Sequence, residues 1–292
     1  MKIQKIAIQI IARLIPDKWW IQIKYRRSFG RWANLKKPQT YNEKLNWIKL
    51  YDRKPEYTVM VDKYEAKKWI SDKIGEEYVI PILGGPWDSF DEINFSLLPN
   101  QFVLKTTHDC GGVVICKDKK TFDKKYAKRF LNEHLKNNYY LTIREWPYKN
   151  VKHRIFAEAY MKDDTLNANQ KEQLTDYKFF CFNGEAKAMF IATDRTDKST
   201  DTKFDFFDMD FNHLPIVQGH PNADILHKKP IMFDKMRELA EKLSKGIPQI
   251  RVDFYEVNGQ VYVGELTFFH FGGTVPFKPE EWDYIFGSWI NL

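Results

Sequence analysis

The sequence predicts an α+β fold, in which antiparallel strands and helices are mixed along the chain. Two Asn-Gly pairs, Asn183-Gly184 and Asn258-Gly259, each separate two strand-like apolar runs, which is a strong short-range signal for a β-hairpin. Residues 233–244 show the apolar spacing of an amphipathic helix. Hydrophobic residues make up 43% of the 292 positions and aromatic residues 16%, which indicates a folded protein with a substantial core.

The first hundred residues predict mostly short helices. Thr40 or Asn42 is a suitable N-cap for one of them, and glycine and proline interrupt the chain near residue 85. The predicted elements are helices at 1–15, 42–50 and 62–72, a strand at 78–83, a break at Gly84-Gly85-Pro86 and a short helix at 89–93.

The remaining residues predict strands in hairpins, with two longer helices between them. The predicted elements are strands at 102–105, 113–116, 155–158, 177–182 and 188–191, helices at 122–136 and 233–244, and the closing hairpin with strands at 251–254 and 264–267. The basic helical segment (1–54) forms the first predicted part of the chain. A boundary near residues 98–102 then separates the first part of the body (55–100) from the main region (101–292).

Positive charge is concentrated at the N-terminus. The chain carries a formal charge of +7, but residues 1–54 hold fourteen Lys and Arg against Asp17, Glu43 and Asp52, a net of +11 that leaves −4 for the rest. This distribution favours an anionic partner for the first segment, such as a membrane surface, nucleic acid or an acidic polymer.

The cysteines Cys110, Cys116 and Cys181 are too few for a disulfide framework, which fits a reducing cytoplasm.

The apolar run at the start is too short to cross a bilayer, which needs about 20 residues. No small-residue cleavage site follows Arg13, so a signal peptide is not expected. Two interpretations remain open for this helix: it packs on the body, or residues 1–37 lie in the membrane interface with the help of Trp19 and Trp20. The interpretation with residues 1–37 in the membrane interface places the protein in the cytoplasm, peripherally at the inner face of the membrane.

The closing hairpin carries the clearest candidate chemistry. Alternation along a strand puts Arg251 and Asp253 on one face, and Glu265 and Thr267 on one face of the next strand. Two carboxylates about a strand's width apart suit a magnesium ion that keeps its other ligands for water and phosphate. The alternative is an edge hairpin with solvated charges.

A second candidate is the segment from Lys105 to Gly112. A lysine at a strand end precedes a polar loop that ends in Gly111 and Gly112, and such a loop brings backbone N–H groups close to an anion. The following strand distinguishes it from a P-loop, which runs into a helix. An ordinary hairpin is the competing interpretation.

Other charged residues stand in apolar surroundings. Lys63 begins a helix, Glu158 ends an apolar strand, and Lys178 interrupts the apolar run 177–182, where a lysine needs either solvent or an anion. The histidines show no metal-binding spacing, so a zinc site is not expected, and no nucleophile elbow is present.

Taken in order, these residues resemble the ATP-grasp superfamily over roughly residues 40–275. Three stretches look like its TupA-like branch: residues 41–51, Asp176-Tyr177-Lys178-Phe179-Phe180 and Glu265-Leu266-Thr267-Phe268. That branch is associated with teichuronopeptide and other cell-surface polysaccharide synthesis. The resemblance implies that ATP lies between two α+β subdomains, with residues 101–292 as the nucleotide-binding and catalytic region.

The activity that the resemblance implies is a carboxylate–amine ligase that uses ATP and Mg²⁺. The γ-phosphate passes to a substrate carboxylate, and an amine attacks the acyl phosphate to give an amide, ADP and phosphate. The implied partners are a carboxylated sugar or amino acid and an amine acceptor, lipid-linked or polymeric acceptors included. No nucleic acid is expected.

The resemblance also implies roles for individual residues. Lys63 and Lys105 would hold the phosphates under a flap of Thr107 to Gly112 that includes Gly111 and Gly112. Adenine would face Glu158 and the backbone of Ala159 to Met161, and the ribose would meet Asp176. Magnesium would be bound by Asp253, Glu265 and Thr267, while Arg251 would steady the transferring phosphoryl group and Lys178 would add charge beside it.

Two departures from the superfamily pattern concern the end of the hairpin. Thr267 stands where most members have Asn, so the number of metal ions is open. His270 and two glycines replace the usual Asn-Pro ending, and either contact the acceptor or form part of a packed aromatic tail.

Two other classes of function compete with the ligase. A glycosyltransferase of a surface-polysaccharide pathway would need a metal element such as Asp208-Met209-Asp210, although this stretch also fits a strand and turn. A non-catalytic module that binds nucleic acid or a membrane surface would use the basic residues 1–54.

Overall fold

Two antiparallel sheets organise the chain in the computed structural model, which describes residues 12–164, 174–193 and 202–292. Within these residues the smaller sheet has four strands in the order β1-β4-β2-β3, and the larger has six in the order β10-β9-β5-β6-β7-β8. The strands are β1 (Ile82–Trp87), β2 (Phe102–Thr106), β3 (Val113–Cys116), β4 (Ile155–Ala159), β5 (Asp176–Phe182), β6 (Glu185–Thr193), β7 (Lys203–Phe207), β8 (His213–Leu214), β9 (Ile250–Val257) and β10 (Gln260–Thr267).

The helices flank these sheets. They are α1 (Asp17–Phe29), α2 (Tyr41–Tyr51), α3 (Glu56–Val61), α4 (Glu65–Ile74), α5 (Lys124–Leu135), α6 (Tyr139–Ile143), α7 (Phe233–Ser244) and α8 (Glu281–Ser288). Short 3₁₀ segments lie at Glu76–Tyr78, Phe90–Glu92, Trp146–Asn150 and His270–Gly273. The α+β prediction is therefore confirmed.

Helix α2 begins where the sequence placed its cap. The Thr40 hydroxyl accepts a hydrogen bond from Glu43 N at 3.2 Å, and the Glu43 carboxylate accepts one from Thr40 N at 3.5 Å, which forms a capping box. At the other end of the chain, Asp283 Oδ1 accepts hydrogen bonds at 2.9 Å from both the backbone N and the side-chain Nδ2 of Asn42. These bonds fasten α8 to the start of α2.

Most predicted elements are confirmed within two or three residues. They include the helices near 42–50, 122–136 and 233–244, the strands near 102–105, 113–116, 155–158, 177–182 and 188–191, and both Asn-Gly hairpins. The predicted helix over residues 1–15 lies largely outside the described residues; residues 12–14 are helical.

The helix predicted at 62–72 is confirmed as α4, which begins three residues later, at Glu65. Helix α3 (Glu56–Val61) was not predicted from the sequence. The Asp62 side chain accepts hydrogen bonds from Tyr64 N (2.9 Å) and Glu65 N (3.1 Å) and so interrupts the backbone between the two helices.

The strand predicted at 78–83 is also misplaced, since β1 begins at Ile82 and runs through the glycines to Trp87. A Cβ on Gly85 would lie 3.0 Å from Phe156 Cα, so the glycine permits the close, irregular pairing of β1 with β4.

The sheets do not follow the expected division at residues 100 and 101. Strand β1 precedes this division, yet β1 pairs with β4 in the same sheet as β2 and β3.

No helix within the described residues is both long enough and apolar enough to cross a bilayer.

The main core lies on the larger sheet, against α2, α3, α7 and α8. A separate core joins the smaller sheet to α5. In the main core, Phe286 of α8 is 0% exposed and packs against a cluster of aromatic rings formed by Tyr41, Phe180, Phe182, Phe277 and Trp289.

Phe286→Ala should lower the free energy of unfolding by about 3–5 kcal/mol, because it removes a buried ring and leaves a cavity in this cluster. Tyr284→Ala is the matched control on the same helix: Tyr284 is 49% exposed, so its loss should change stability by less than about 0.5 kcal/mol. Chemical denaturation measures both. Equal unfolding midpoints for the two variants would contradict the assignment of α8 to the core.

Candidate functional site

The closing hairpin aligns its charged residues through an irregular register. Val263 lies opposite Phe254, but after a β-bulge at Gly264 the next pairs are Glu265 with Asp253 and Thr267 with Arg251. Residues that face each other in an antiparallel pair point to the same side of the sheet. The bulge therefore puts all four candidate side chains on one face, as the alternation predicted for each strand separately.

Asp253 lies at the centre of a buried ion cluster. Arg251 donates to it twice, from Nε to Oδ1 at 2.6 Å and from Nη2 to Oδ2 at 2.7 Å, and Lys178 Nζ on the neighbouring strand β5 also contacts Oδ2. Lys178 Nζ lies 3.3 Å from Asp176 Oδ1 as well. The exposed fractions of Asp253, Lys178 and Asp176 are 2%, 8% and 1%, so the cluster is held by mutual compensation of charge.

The pKa shifts in the cluster follow from this arrangement. Burial by itself would raise the pKa of Asp253, but Arg251 and Lys178 outweigh it and hold that pKa well below the usual range. Burial lowers the pKa of Lys178, and Asp253 opposes that change. Asp253 is therefore charged throughout the physiological range.

His270 lies beneath Arg251 and is 1% exposed. Arg251 Nη1 must donate to His270 Nδ1 (2.6 Å), because a guanidinium only donates, so the other ring nitrogen carries the proton and donates to Gln218 Oε1 (3.1 Å). Burial and the neighbouring Arg251 lower the pKa of His270, which keeps the ring neutral. This placement differs from the expected contact with an acceptor, because both ring nitrogens already have partners in the interior.

A second charged group lies on the smaller sheet. Glu158 of β4 is 4% exposed and pairs with Lys105 of β2, its diagonal neighbour on the same face, and with Lys67 of α4 at 2.9 Å. Burial would raise the pKa of Glu158, but the two ammonium groups more than offset it and keep that pKa below its usual value. Lys67 also donates to Ile80 O at 2.8 Å.

The loop between β2 and β3 is held closed by side-chain contacts. Asp109 is bound by the Thr106 hydroxyl and by His134 of α5. Lys63 Nζ donates to Asp109 O at 2.7 Å and lies 3.6 Å from Glu265 Oε1. Lys63 thus joins the loop to the hairpin of the other sheet.

The loop residues differ in their surroundings. Thr107 is 0% exposed; its hydroxyl donates to Lys152 O (2.6 Å) and accepts from Arg154 N (3.1 Å), so it anchors the base of the loop and does not face a ligand. Gly111 is exposed and has a φ of 91°, a conformation that glycine adopts without strain. A Cβ on Gly112 would lie 1.9 Å from Thr106 Oγ1, so only glycine fits there.

Two cavities meet at Glu265. One, of about 30 Å³, lies between the sheets and is lined by the lysines Lys63, Lys67 and Lys105 together with Glu158. The other, of about 380 Å³, lies on the far side and is lined by Arg251, Thr267 and Glu145. Glu265 lines both, and its side chain is 39% exposed.

The oxygen ligands of the hairpin fit magnesium, a hard cation that is bound through one or two carboxylates together with substrate phosphates. Among the described residues, Glu265 forms one ion pair, with Lys63 at 3.6 Å, and its side chain is open to a ligand. Asp253 already accepts three donors, which leaves about one of its lone-pair positions. Among the described residues, no group of three or more His, Cys, Asp or Glu side chains forms a metal cluster.

The residues expected at adenine and ribose are less closely grouped. Ala159 N donates to Pro81 O at 2.9 Å, so that backbone donor is already used. Met161 lines a surface hollow beside Val257 and Tyr262, and Asp176 is buried beside Lys178. The structure brings Lys63, Lys105, Glu158 and Glu265 together but does not bring Met161 or Asp176 to the cavity that they share.

Sequence reasoning did not find Lys67, Lys49 or Glu145. Lys67 follows Lys63 by four residues, and this spacing was an available signal for a second cation near the same place. Lys49 lies in the stretch 41–51 that carries the family resemblance, but no role was predicted for it, and Glu145 stands in no recognisable motif. The two come near each other only through packing.

Asp208 has a structural role in its turn. Its carboxylate accepts hydrogen bonds from Asp210 N (3.0 Å), Asn212 N (2.8 Å) and Asn212 Nδ2 (2.9 Å). Since the carboxylate is used to hold the turn, the motif is explained without a metal.

Comparison with solved structures finds ATP-grasp ligases at low sequence identity. A D-alanine–D-alanine ligase from Helicobacter pylori has 13% identity and a TM-score of 0.44, with 80% of this chain and 62% of that chain covered. An ATP complex of the Bacillus anthracis enzyme has 14% identity and a TM-score of 0.39, covering 72% of this chain and 53% of that one. The chain thus spans little more than half the length of these solved chains.

A third solved structure, N5-carboxyaminoimidazole synthase from Aspergillus clavatus with ADP and its ribonucleotide, has 11% identity and a TM-score of 0.40, covering 74% of this chain and 46% of that chain. No curated protein matches the sequence. The family model described as TupA-like ATPgrasp matches residues 43–291. That match covers most of the chain, so this chain belongs to the TupA-like ATP-grasp family.

Proposed function

We propose that this protein is an ATP- and magnesium-dependent ligase that joins a carboxylate to an amine through an acyl phosphate, in the synthesis of capsule or cell-envelope polysaccharide. The observation that carries the proposal is the position of Glu265 between two cavities. Three lysines line the first cavity, and Arg251 and Thr267 line the second, so phosphate-binding groups and a substrate space lie on opposite sides of one carboxylate.

The lysine side of Glu265 would hold the triphosphate. Lys63 and Lys105 come from different elements and supply two positive charges near one carboxylate, which suits the phosphates of a nucleotide. Because the cavity between them is about 30 Å³, close to the space of one water molecule, a nucleotide needs the two sheets and the loop at residues 107–112 to separate. Closure of that loop afterwards would exclude water from the acyl phosphate.

Magnesium would be held by Glu265 and Asp253, with Thr267 as a neutral neighbour. The ion would neutralise oxygen charge as the phosphoryl group passes to the substrate. Arg251 keeps Asp253 and Thr267 in place, and at most one of its five donors is left for a substrate oxygen. His270 acts as a positioning residue, because it holds Arg251 from below.

Nucleotide recognition beyond the phosphates remains a prediction. Glu158, Ala159 and Met161 would bound the adenine, and Asp176 would approach the ribose once the cleft opens. Lys178 would keep Asp253 charged and would not contact the phosphate, since its ammonium group is already bound by Asp253 and Asp176.

The pathway and the substrates come from the resemblance to polysaccharide-synthesising relatives. A carboxylated sugar or an amino acid would provide the acyl group, and an amine on a small molecule, a lipid-linked sugar or a polymer would be the acceptor. A cytoplasmic enzyme at the inner face of the membrane would meet such acceptors.

Helix α1 supports the membrane part of the proposal. Trp20, Ile21 and Tyr25 are buried, while Trp19 and Ile23 are 58% and 40% exposed beside several basic residues. Arginine and tryptophan at the surface of a helix favour the interface of an anionic bilayer. Residues 1–11 lie outside the described part of the chain.

Glu265→Gln should reduce ATP-dependent ADP release by about 10²–10³-fold, because the substitution removes the accessible carboxylate between the cavities. Within the part of the chain that the structure describes, Glu265 makes one ion pair, at 3.6 Å, so the fold should persist. Asp253→Asn should also abolish release, but it leaves Arg251 without its carboxylate and Lys178 with Asp176 alone, and should cost about 3–5 kcal/mol of stability. Glu256→Gln on β9 is the control. Unchanged ADP release in Glu265→Gln would refute the metal assignment.

Lys105→Ala should weaken ATP binding about tenfold, or about 1.4 kcal/mol, in a calorimetric titration with magnesium present. Glu158 keeps Lys67 as its partner, so the variant should fold. Lys128→Ala removes a lysine of α5 that pairs with an exposed aspartate, and it should bind ATP as the wild type does. Identical titrations for Lys105→Ala and the wild type would remove Lys105 from the nucleotide site.

Ile23→Glu should reduce co-sedimentation with phosphatidylglycerol vesicles, since it places a negative charge on the proposed membrane-facing side of α1. Ile231→Glu is the matched control: it makes the same change at a side chain that is 91% exposed and lies outside residues 1–37. Wild-type binding should also weaken as salt increases. Equal sedimentation of both variants would argue against membrane contact through α1.

A further inference from the structure

Glu145 is a buried carboxylate that faces the larger cavity. It is 5% exposed and follows Arg144, which ends helix α6 in a left-handed conformation with φ of 56°. Arg144 is fixed by Asp17 at 3.2 Å and by Ile15 O at 3.2 Å. The backbone that carries Glu145 is therefore held against the N-terminal segment, with the side chain in the wall of the 380 Å³ cavity.

Within the described residues, no donor hydrogen-bonds to the Glu145 carboxylate. The cation that acts most strongly on this carboxylate is that of Lys49 on α2, but Lys49 Nζ is directed to the carbonyls of Gly272 (2.6 Å) and Ile143 (3.1 Å). A Cβ on Gly272 would lie 3.6 Å from both Glu145 Oε1 and Lys49 Nζ, so the two groups flank one glycine. Since Glu145 lines the cavity, a molecule bound there can supply the donor that the described residues do not.

The electrostatic surroundings favour proton exchange at Glu145. Burial raises its pKa, with Lys49 opposing the change and Glu265 adding to it. Burial also lowers the pKa of Lys49. The other charged groups that line the cavity are Lys24, Arg251 and Glu265, and its neutral titratable groups are Tyr139, Tyr148 and Cys110.

The rest of the cavity wall suits a small polar molecule with an ammonium group. Trp20, Tyr148 and Phe269 contribute aromatic rings, which attract cations as well as apolar surface. The volume lies at the lower end of the range of about 300–1,000 Å³ for small-molecule pockets. Helix α1 supplies Trp20 and Lys24, and it precedes the region that the family model matches, which begins at residue 43.

We propose that this cavity binds the amine substrate of the ligase and that Glu145 is the catalytic residue that receives its ammonium group and takes one of its protons. The inference rests on the proposed function. The chemical group that the cavity would recognise is a primary ammonium on a small polar molecule. Both amino acids and amino sugars carry such a group. The Glu265 end of the same cavity is where the acyl phosphate would form.

The proton and electron changes of the step balance. The ammonium gives one proton to Glu145 and becomes a neutral amine. Its nitrogen attacks the acyl carbon, so that the C–N bond forms and the bond from carbon to the phosphate oxygen breaks. Phosphate leaves with that electron pair and takes the second proton from nitrogen as HPO₄²⁻, and Glu145 then returns its proton to solvent.

Thermal-shift titration separates this inference from the proposed function. Wild type, Glu145→Gln, Glu145→Asp and the surface control Glu76→Gln are each titrated with ATP and magnesium, and separately with glycine, L-alanine and glucosamine. Acetate and glucose serve as probes that lack the amine. Glycine and alanine represent the amino-acid source, and glucosamine the amino-sugar source.

At least one amine should stabilise the wild type and Glu76→Gln, whereas acetate and glucose should not. Glu145→Gln should lose that stabilisation, which corresponds to an affinity at least about tenfold weaker, and Glu145→Asp should retain part of it. All four proteins should keep the same shift with ATP and magnesium. The melting temperature of Glu145→Gln without ligand should not fall, because the variant replaces a buried carboxyl, whose charged form has no hydrogen-bond donor among the described residues, by a neutral amide of the same size.

Equal amine binding by Glu145→Gln and wild type would overturn the inference while leaving the proposed function intact. No stabilisation of the wild type by any of the three amines would overturn it as well. A wild type that fails to respond to ATP and magnesium would instead contradict the proposed function itself.

Discussion

The bulge at Gly264 is the constraint on which the site depends. A regular hairpin would place Glu265 opposite Val252, and the side chain of Glu265 would then point to the other face of the sheet. The extra residue shifts β10 by one position, so that Glu265 lies opposite Asp253. Glycine permits this shift, because a Cβ there would lie 2.7 Å from the ring of Tyr255. One backbone irregularity thus turns two charged strands into a single site.

Charge compensation then keeps the site in one arrangement. Arg251 and Lys178 together surround Asp253, and neutral His270 supports Arg251 without adding charge. These residues are buried, so the loss of Asp253 would leave the Arg251 guanidinium without its carboxylate. Glu265 stands outside this network and remains accessible. The result is a rigid cluster beside one carboxylate that is free to bind a ligand.

The two sheets contribute different chemistry around that carboxylate. The smaller sheet and its loop bring lysines, whereas the larger sheet brings the buried ion cluster. The larger cavity is closed by residues outside both sheets, including Trp20 and Lys24 of α1 and Glu145 after α6. The basic N-terminal segment is therefore part of the site, and the surface of α1 that faces away from the cavity carries the exposed Trp19.

The sequence by itself determined the fold class, the two Asn-Gly hairpins, a cap at Thr40 or Asn42 and the candidate residues of β9 and β10, because turn residues, caps and alternation are local properties. It misplaced β1 and missed α3, where contacts with other parts of the chain override local preference. Only the tertiary structure decided the bulged register and the meeting of Lys49, Glu145 and Gly272. Those three residues are far apart in the chain, and packing between elements, which no local pattern records, brings them together.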